Sequence, residues 1–174
     1  MDTTANLYSA KLYSLKYKEV TTYLFSLLFI AGNVALPQLC HLLPGGGLMW
    51  LPIYFFTLIA AYKCGLSVGL LTAVASPLAN SLLFGMPPAA ALPVILTKSV
   101  LLAVGAACAA RLSGKVSFWA IAAAIAACQL VGTLAEWAIV ADFFRALQDL
   151  QVGYPGLLVQ LFGGYALLKA LAKL

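Results

Sequence analysis

Long apolar runs, broken at short intervals by glycine, proline and charged residues, organise this chain. Six such runs stand out: Val20 to Leu39, Leu48 to Tyr62, Gly65 to Phe84, Leu92 to Ala110, Phe118 to Val140 and Pro155 to Ala172. None alternates apolar and polar positions as a strand of a membrane barrel would. Most approach the roughly 20 residues that an α-helix needs to cross a bilayer, and the second is short. In lipid each backbone amide must be satisfied within its own segment, so helices are the expected elements. The pattern predicts an all-α membrane protein, a single six-helix transmembrane domain spanning 1–174. Residues 1–19 precede the first span, His41 to Gly47 and Gly85 to Pro88 form turns, and Asp142 to Tyr154 forms a polar loop.

Composition agrees. Hydrophobic residues make up 64% of the chain and charged residues 9%, against about 25% charged in a soluble domain. Too little polar surface exists to cover a globule in water, and the spans leave no room for a soluble domain. The four cysteines are scattered without a CxxC pair and read as small buried hydrophobes. No cleavable leader and no internal repeat is visible.

The cations add a topology. Lys11, Lys16, Lys18, Lys63, Arg111, Lys115, Lys169 and Lys173 all fall on one side of a six-span arrangement, and Arg145 alone falls on the other. The positive-inside bias then places both termini in the cytoplasm. It also explains the net charge of +5 without invoking nucleic acid.

Two ionisable residues lie within spans, Lys98 and Glu136. Such groups are costly in lipid and mark candidate sites. At 1.5 Å per residue each lies roughly 6–9 Å from the outer end of its helix. Gln129, Thr133 and Glu136 share a helix face, as do Thr72, Ser76 and Asn80. Gln160 sits about one turn into the sixth span. Polar groups thus gather in the outer half of spans three to six. Two readings follow. Lys98 and Glu136 pair with each other, or they line an outward-facing pocket in which Lys98 meets an anionic substrate group; substrate can also replace the pair. Asn80 and Gln160 at similar depth favour the pocket. Trp50, Tyr54, Trp137 and Tyr154 are placed either for an aromatic belt or for a ring-binding wall; Trp50 and Tyr154 join the candidate binding residues. His41 reads as a solvated loop residue.

The inventory weighs against enzyme chemistry. One histidine and dispersed cysteines supply no zinc or haem ligand set, so no metal or cofactor is expected. No serine within a span can reach His41 as a catalytic partner, and no GxxxxGK[ST] loop is present for ATP. No catalytic residue is assigned.

Three stretches carry a family likeness. They are Gly65-Leu-Ser-Val-Gly69-Leu-Leu-Thr-Ala73-Val-Ala-Ser-Pro77-Leu-Ala-Asn80, then Phe84-Gly-Met-Pro-Pro88 with Leu92-Pro93, and Ala31-Gly-Asn-Val-Ala35. In this order, on six spans, the chain resembles the substrate-binding S components of energy-coupling factor (ECF) transporters. The resemblance implies an S-component-like bundle in a bacterial cytoplasmic (inner) membrane. It implies capture of a vitamin or related small water-soluble nutrient from outside. Uptake would be driven by a transmembrane coupling subunit and two cytoplasmic ATPases. Ala31 and Ala35 would contact the coupling subunit. The pocket would draw on Gly45–Leu51, which includes Trp50, on Gly85–Ala91, and on Lys98, Glu136 and Gln160. Two other classes fit the same residues: a stand-alone ion-coupled carrier of small solutes, and a membrane assembly or scaffold protein with no small ligand.

Overall fold

The computed structural model describes residue 12 and residues 14–172, so Lys11, Lys173 and most of the segment before Ser14 lie outside the described residues. Helix α1 covers Val20–Cys40, α2 Gly46–Trp50, α3 Phe55–Cys64, α4 Leu66–Phe84, α5 Leu92–Ser113 and α6 Phe118–Val140. Short helices α7 (Phe143–Ala146), α8 (Gln148–Gln151) and α9 (Tyr154–Leu158) follow, then a π-helical turn at Val159–Gly163 and α10 (Gly164–Leu171). No strand occurs among the described residues. Five helical stretches there are long and apolar enough to cross a membrane: Val20–Cys40, Gly46–Cys64, Leu66–Phe84, Ala89–Ser113 and Phe118–Val140. Their outward faces are apolar, with Leu24, Leu28, Leu82, Leu112, Trp119 and Leu130 exposed, as expected of a multi-pass membrane protein.

Two expected spans are less regular than their hydrophobicity suggests. The run Leu48 to Tyr62 breaks at Leu51, which adopts a left-handed backbone (φ 45°), and restarts through a 3-10 turn at Pro52–Tyr54. Pro52 explains the break, because a proline disfavours helical geometry in the residue before it and offers no N–H to the preceding turn. The last run is helical over Tyr154–Leu171 but passes through the π-helical turn. It is not among the five stretches that length and composition single out.

Helix α3 forms the centre. Every residue from Thr57 to Cys64 is buried, with α1, α4, α5 and α10 packed around it. Small residues set the approach of these helices. A Cβ on Gly69 of α4 would lie 2.5 Å from Ala61 Cβ, and one on Gly164 of α10 would lie 3.0 Å from Leu58 Cδ2. Lipid offers little hydrophobic drive between helices, so close backbone contact and interhelical hydrogen bonds must hold them. The small-residue face expected at Gly65 and Gly69 is thus used for packing at Gly69, while Gly65 (φ 94°) turns the chain from α3 into α4.

Asn33 supplies the main polar lock. It is fully buried on α1. Its Nδ2 donates to Thr57 Oγ1 (3.0 Å) and Ser76 Oγ (3.3 Å), and its Oδ1 accepts from Phe56 N (3.0 Å). Asn80 Nδ2 donates to the Asn33 carbonyl at 2.9 Å, and Gln38 Nε2 donates to Asn80 Oδ1 at 3.3 Å. Three helices are pinned at one residue. The N–H of Phe56 lies where the chain restarts after the Pro52 break, so it has no partner one turn back and takes Asn33 instead.

The cation-bearing ends gather at one end of the bundle. Leu15 N donates to Cys64 O (3.2 Å), Tyr62 Oη to Lys115 O (2.8 Å) and Lys63 Nζ to Leu171 O (2.8 Å). Arg111 and Lys169 lie in the last turns of α5 and α10. The alternation of cation-rich and cation-poor connectors therefore corresponds to two chemically different ends.

Asn33→Leu leaves the Phe56 N–H and two hydroxyls without their partner and should cost about 2–4 kcal/mol. Thermal unfolding in detergent should show it as a clear loss of stability. Ala31→Leu, on the exposed face of the same helix, should be near neutral.

Candidate functional site

At the end away from the clustered cations, α5, α6, α8 and the π-helical turn converge on Lys98. Its side chain is 4% exposed. Gly132 of α6 makes the fit possible: a Cβ there would stand 3.0 Å from Lys98 Cγ, so the lysine stem lies across the helix. The Cys128 thiol donates to the Lys98 carbonyl at 3.4 Å, tying α6 to α5 one turn below.

The ammonium is met from two sides. Glu136 Oε2 of α6 pairs with it, and Asp149 Oδ2 of α8 accepts its hydrogen bond at 2.7 Å. Lys98 and Glu136 therefore do pair, as one reading of the sequence expected. The second acid was not singled out, because Asp149 lies in a polar loop with no helical period to place it. The chain holds only five acidic residues, so a buried lysine could have directed attention to each of them.

Local structure brings Asp149 back over the bundle. Ala141 ends α6 in a left-handed conformation (φ 57°), which reverses the chain. Asp142 caps α7, its Oδ1 accepting from Arg145 N at 3.1 Å. Trp137 of α6 packs edge-on against Phe143, ring centroids 5.5 Å apart, and fastens the loop to the helix. The returning chain then presses against the break in the second run. A Cβ on Gly156 would lie 2.4 Å from the Trp50 carbonyl, and one on Gly153 would lie 2.8 Å from Leu51 Cδ1. Only glycine allows this contact, which seats the start of the last helical run beside Tyr54.

Beneath the ion cluster lies a small cavity lined by Tyr54, Lys98, Leu102, Ile125, Cys128, Gln129 and Gln160. It is small, about 10 Å³, room for about one water molecule. Its polar walls are incompletely satisfied. Gln129 Oε1 and Gln160 Nε2 are buried with no hydrogen-bond partner among the described residues. Thr133 Oγ1 of α6 and Ser99 Oγ, beside Lys98 on α5, are also unpartnered but do not line the cavity. Each buried, unmade hydrogen bond costs about 1–3 kcal/mol, and two such groups, one on α6 and one in the π-helical turn, face this water-sized space. Gln160 lies in the π-helical turn, a distortion frequent at functional positions.

The candidate residues divide into two groups. Lys98, Glu136 and Gln160 come together at this site. Asn80 does not join them, because it is held by Asn33 and Gln38 in the α1–α4 lock. Trp50 meets the last run through its backbone, and Tyr154 is exposed; neither lines the cavity. The aromatic wall is Tyr54, buried at 6% exposure. Ala31 and Ala35 lie on the exposed apolar side of α1. No group of three or more metal-ligating side chains is assembled among the described residues. Comparison with family models, with curated proteins and with solved structures finds no match to this chain.

The ion cluster makes a signed prediction. Lys98→Met strands two carboxylates in a poorly solvated site and should cost about 3–5 kcal/mol. Adding Glu136→Gln and Asp149→Asn to it removes the stranded charges and should restore most of that loss. Thermal unfolding of the single and triple variants in one detergent checks both statements.

Proposed function

We propose that the chain is a membrane-embedded substrate-binding subunit of the ECF S-component type. In this reading it has six spans, the last formed by Tyr154–Leu171, and both termini face the cytoplasm of a bacterial cell with the chain in its inner membrane. It captures a vitamin-like small nutrient from outside, and a coupling subunit with two ATPases drives uptake.

The observation that carries this reading is the pair of unpartnered buried groups, Gln129 Oε1 and Gln160 Nε2, that face one cavity. Two buried amide groups that face one cavity lower stability unless a molecule held there bonds them. Supporting features stand at the other positions. The cavity lies away from the cation-rich end, which is the outward side under the positive-inside rule. The exposed Ala31 and Ala35 face is smooth and apolar, suited to a helix of another subunit. The chain carries no ATP-binding loop of its own, so uphill transport needs a partner or an ion gradient.

Native mass spectrometry of gently purified protein should reveal a retained small molecule. Gln160→Leu, which removes a cavity donor without adding charge, should lose that mass while keeping the fold. Ala31→Leu with Ala35→Leu should keep the bound mass but lose co-purifying coupling and ATPase subunits. Absence of both a retained mass and co-purifying subunits would sink the proposal.

A further inference from the structure

The charges around Lys98 do not cancel. One ammonium faces two carboxylates, Glu136 and Asp149, which leaves one unit of negative charge when all three are ionised. Arg145, the other cation of this end, is exposed and forms no ion pair among the described residues. Each acid uses a single oxygen on the ammonium. Glu136 Oε1 and Asp149 Oδ1 accept no hydrogen bond among the described residues. Their side chains are 14% and 15% exposed, so the free oxygens sit where a solute can reach them. Further in, Gln129 Oε1 is a third free acceptor and Gln160 Nε2 a free donor.

We infer that this site takes a small organic cation, whose protonated amine or amidinium group meets Glu136 and Asp149 while a water-sized polar group of the same molecule reaches toward Gln129 and Gln160. The inference rests on the binding-subunit reading and narrows it by charge. It reverses the expectation that Lys98 meets an anionic group. An anion here would face two carboxylates whose only counter-charge is already shared between them. A cation supplies the missing positive unit and engages both free carboxylate oxygens. Lys98 is then a positioning residue. It holds an acid from α6 and an acid from α8 side by side, so that two carboxylates from separate elements act on one ligand group.

The test uses the full chain in phosphatidylcholine nanodiscs at neutral pH and three ring probes of one shape: benzamidine, benzamide and benzoate. Calorimetric titration should give benzamidine an affinity about tenfold or more above benzoate, with benzamide between them. Asp149→Asn should lower benzamidine affinity by about fivefold or more and leave benzamide nearly unchanged. Benzoate binding as tightly as benzamidine, or an unchanged benzamidine affinity in Asp149→Asn, would overturn the assignment. Both outcomes leave the binding-subunit reading intact, since a probe still binds. Silence from all three probes up to about 10 mM also overturns it. The mass retained on native purification then decides the broader reading separately. The three-probe comparison needs no variant, so a misfolded Asp149→Asn protein does not obscure the result.

Discussion

Burying the ammonium of Lys98 sets the terms for one whole end of this molecule. A lysine among apolar helices is costly unless it is paired and its donors are filled. One acid comes from α6, about five turns along the helix that packs against α5. The other comes from α8, and it can reach the lysine only if the chain reverses after Val140 and returns over the bundle. Ala141 in a left-handed conformation, Asp142 as a cap and the Trp137–Phe143 contact make that return. Gly153 and Gly156 then let the chain lie flush against Trp50 and Leu51. The loop and the entry to the last helix serve the same requirement, that two acids converge on one base, and the break that Pro52 makes in the second helical run gives the returning chain its seat.

The other end obeys a different rule. There the connectors carry the exposed cations, and backbone carbonyls near the helix ends accept from Tyr62 and Lys63. Between the ends, Asn33 and its partners fix α1, the start of α3 and α4 as one unit. These bonds sit on satisfied groups and hold shape. Gln129 Oε1 and Gln160 Nε2 beneath Lys98 have no partner among the described residues. The contrast separates satisfied from unsatisfied polar groups in a chain where both are scarce, with Asn80 among the first and Gln160 among the second.

Much of this was legible in the sequence, and the reasons for the rest are local. Hydrophobic runs identified the helices because lipid and backbone hydrogen bonding leave few alternatives. The shared face of Gln129, Thr133 and Glu136 follows from helical period, and the Lys98–Glu136 pair from similar depth. Asp149 was missed because loop residues have no period. Asn80 was placed with Lys98 on depth alone, but helix rotation directs it toward α1. The break at Leu51 was signalled by Pro52 yet masked by an unbroken run of apolar residues around it. Tyr54 gained its place on the cavity wall from that break.

The central claim is that the loop acid and the buried lysine form one energetic unit. A double-mutant cycle on stability, with Lys98→Met, Asp149→Asn and the pair combined, measures that unit directly. Because both side chains are largely buried, a coupling of about 1.5 kcal/mol or more is expected, well above the ~0.2–1 kcal/mol of an exposed ion pair. Additive effects, with coupling within about 0.5 kcal/mol of zero, would mean that Asp149 does not close on Lys98 and would contradict the site as described.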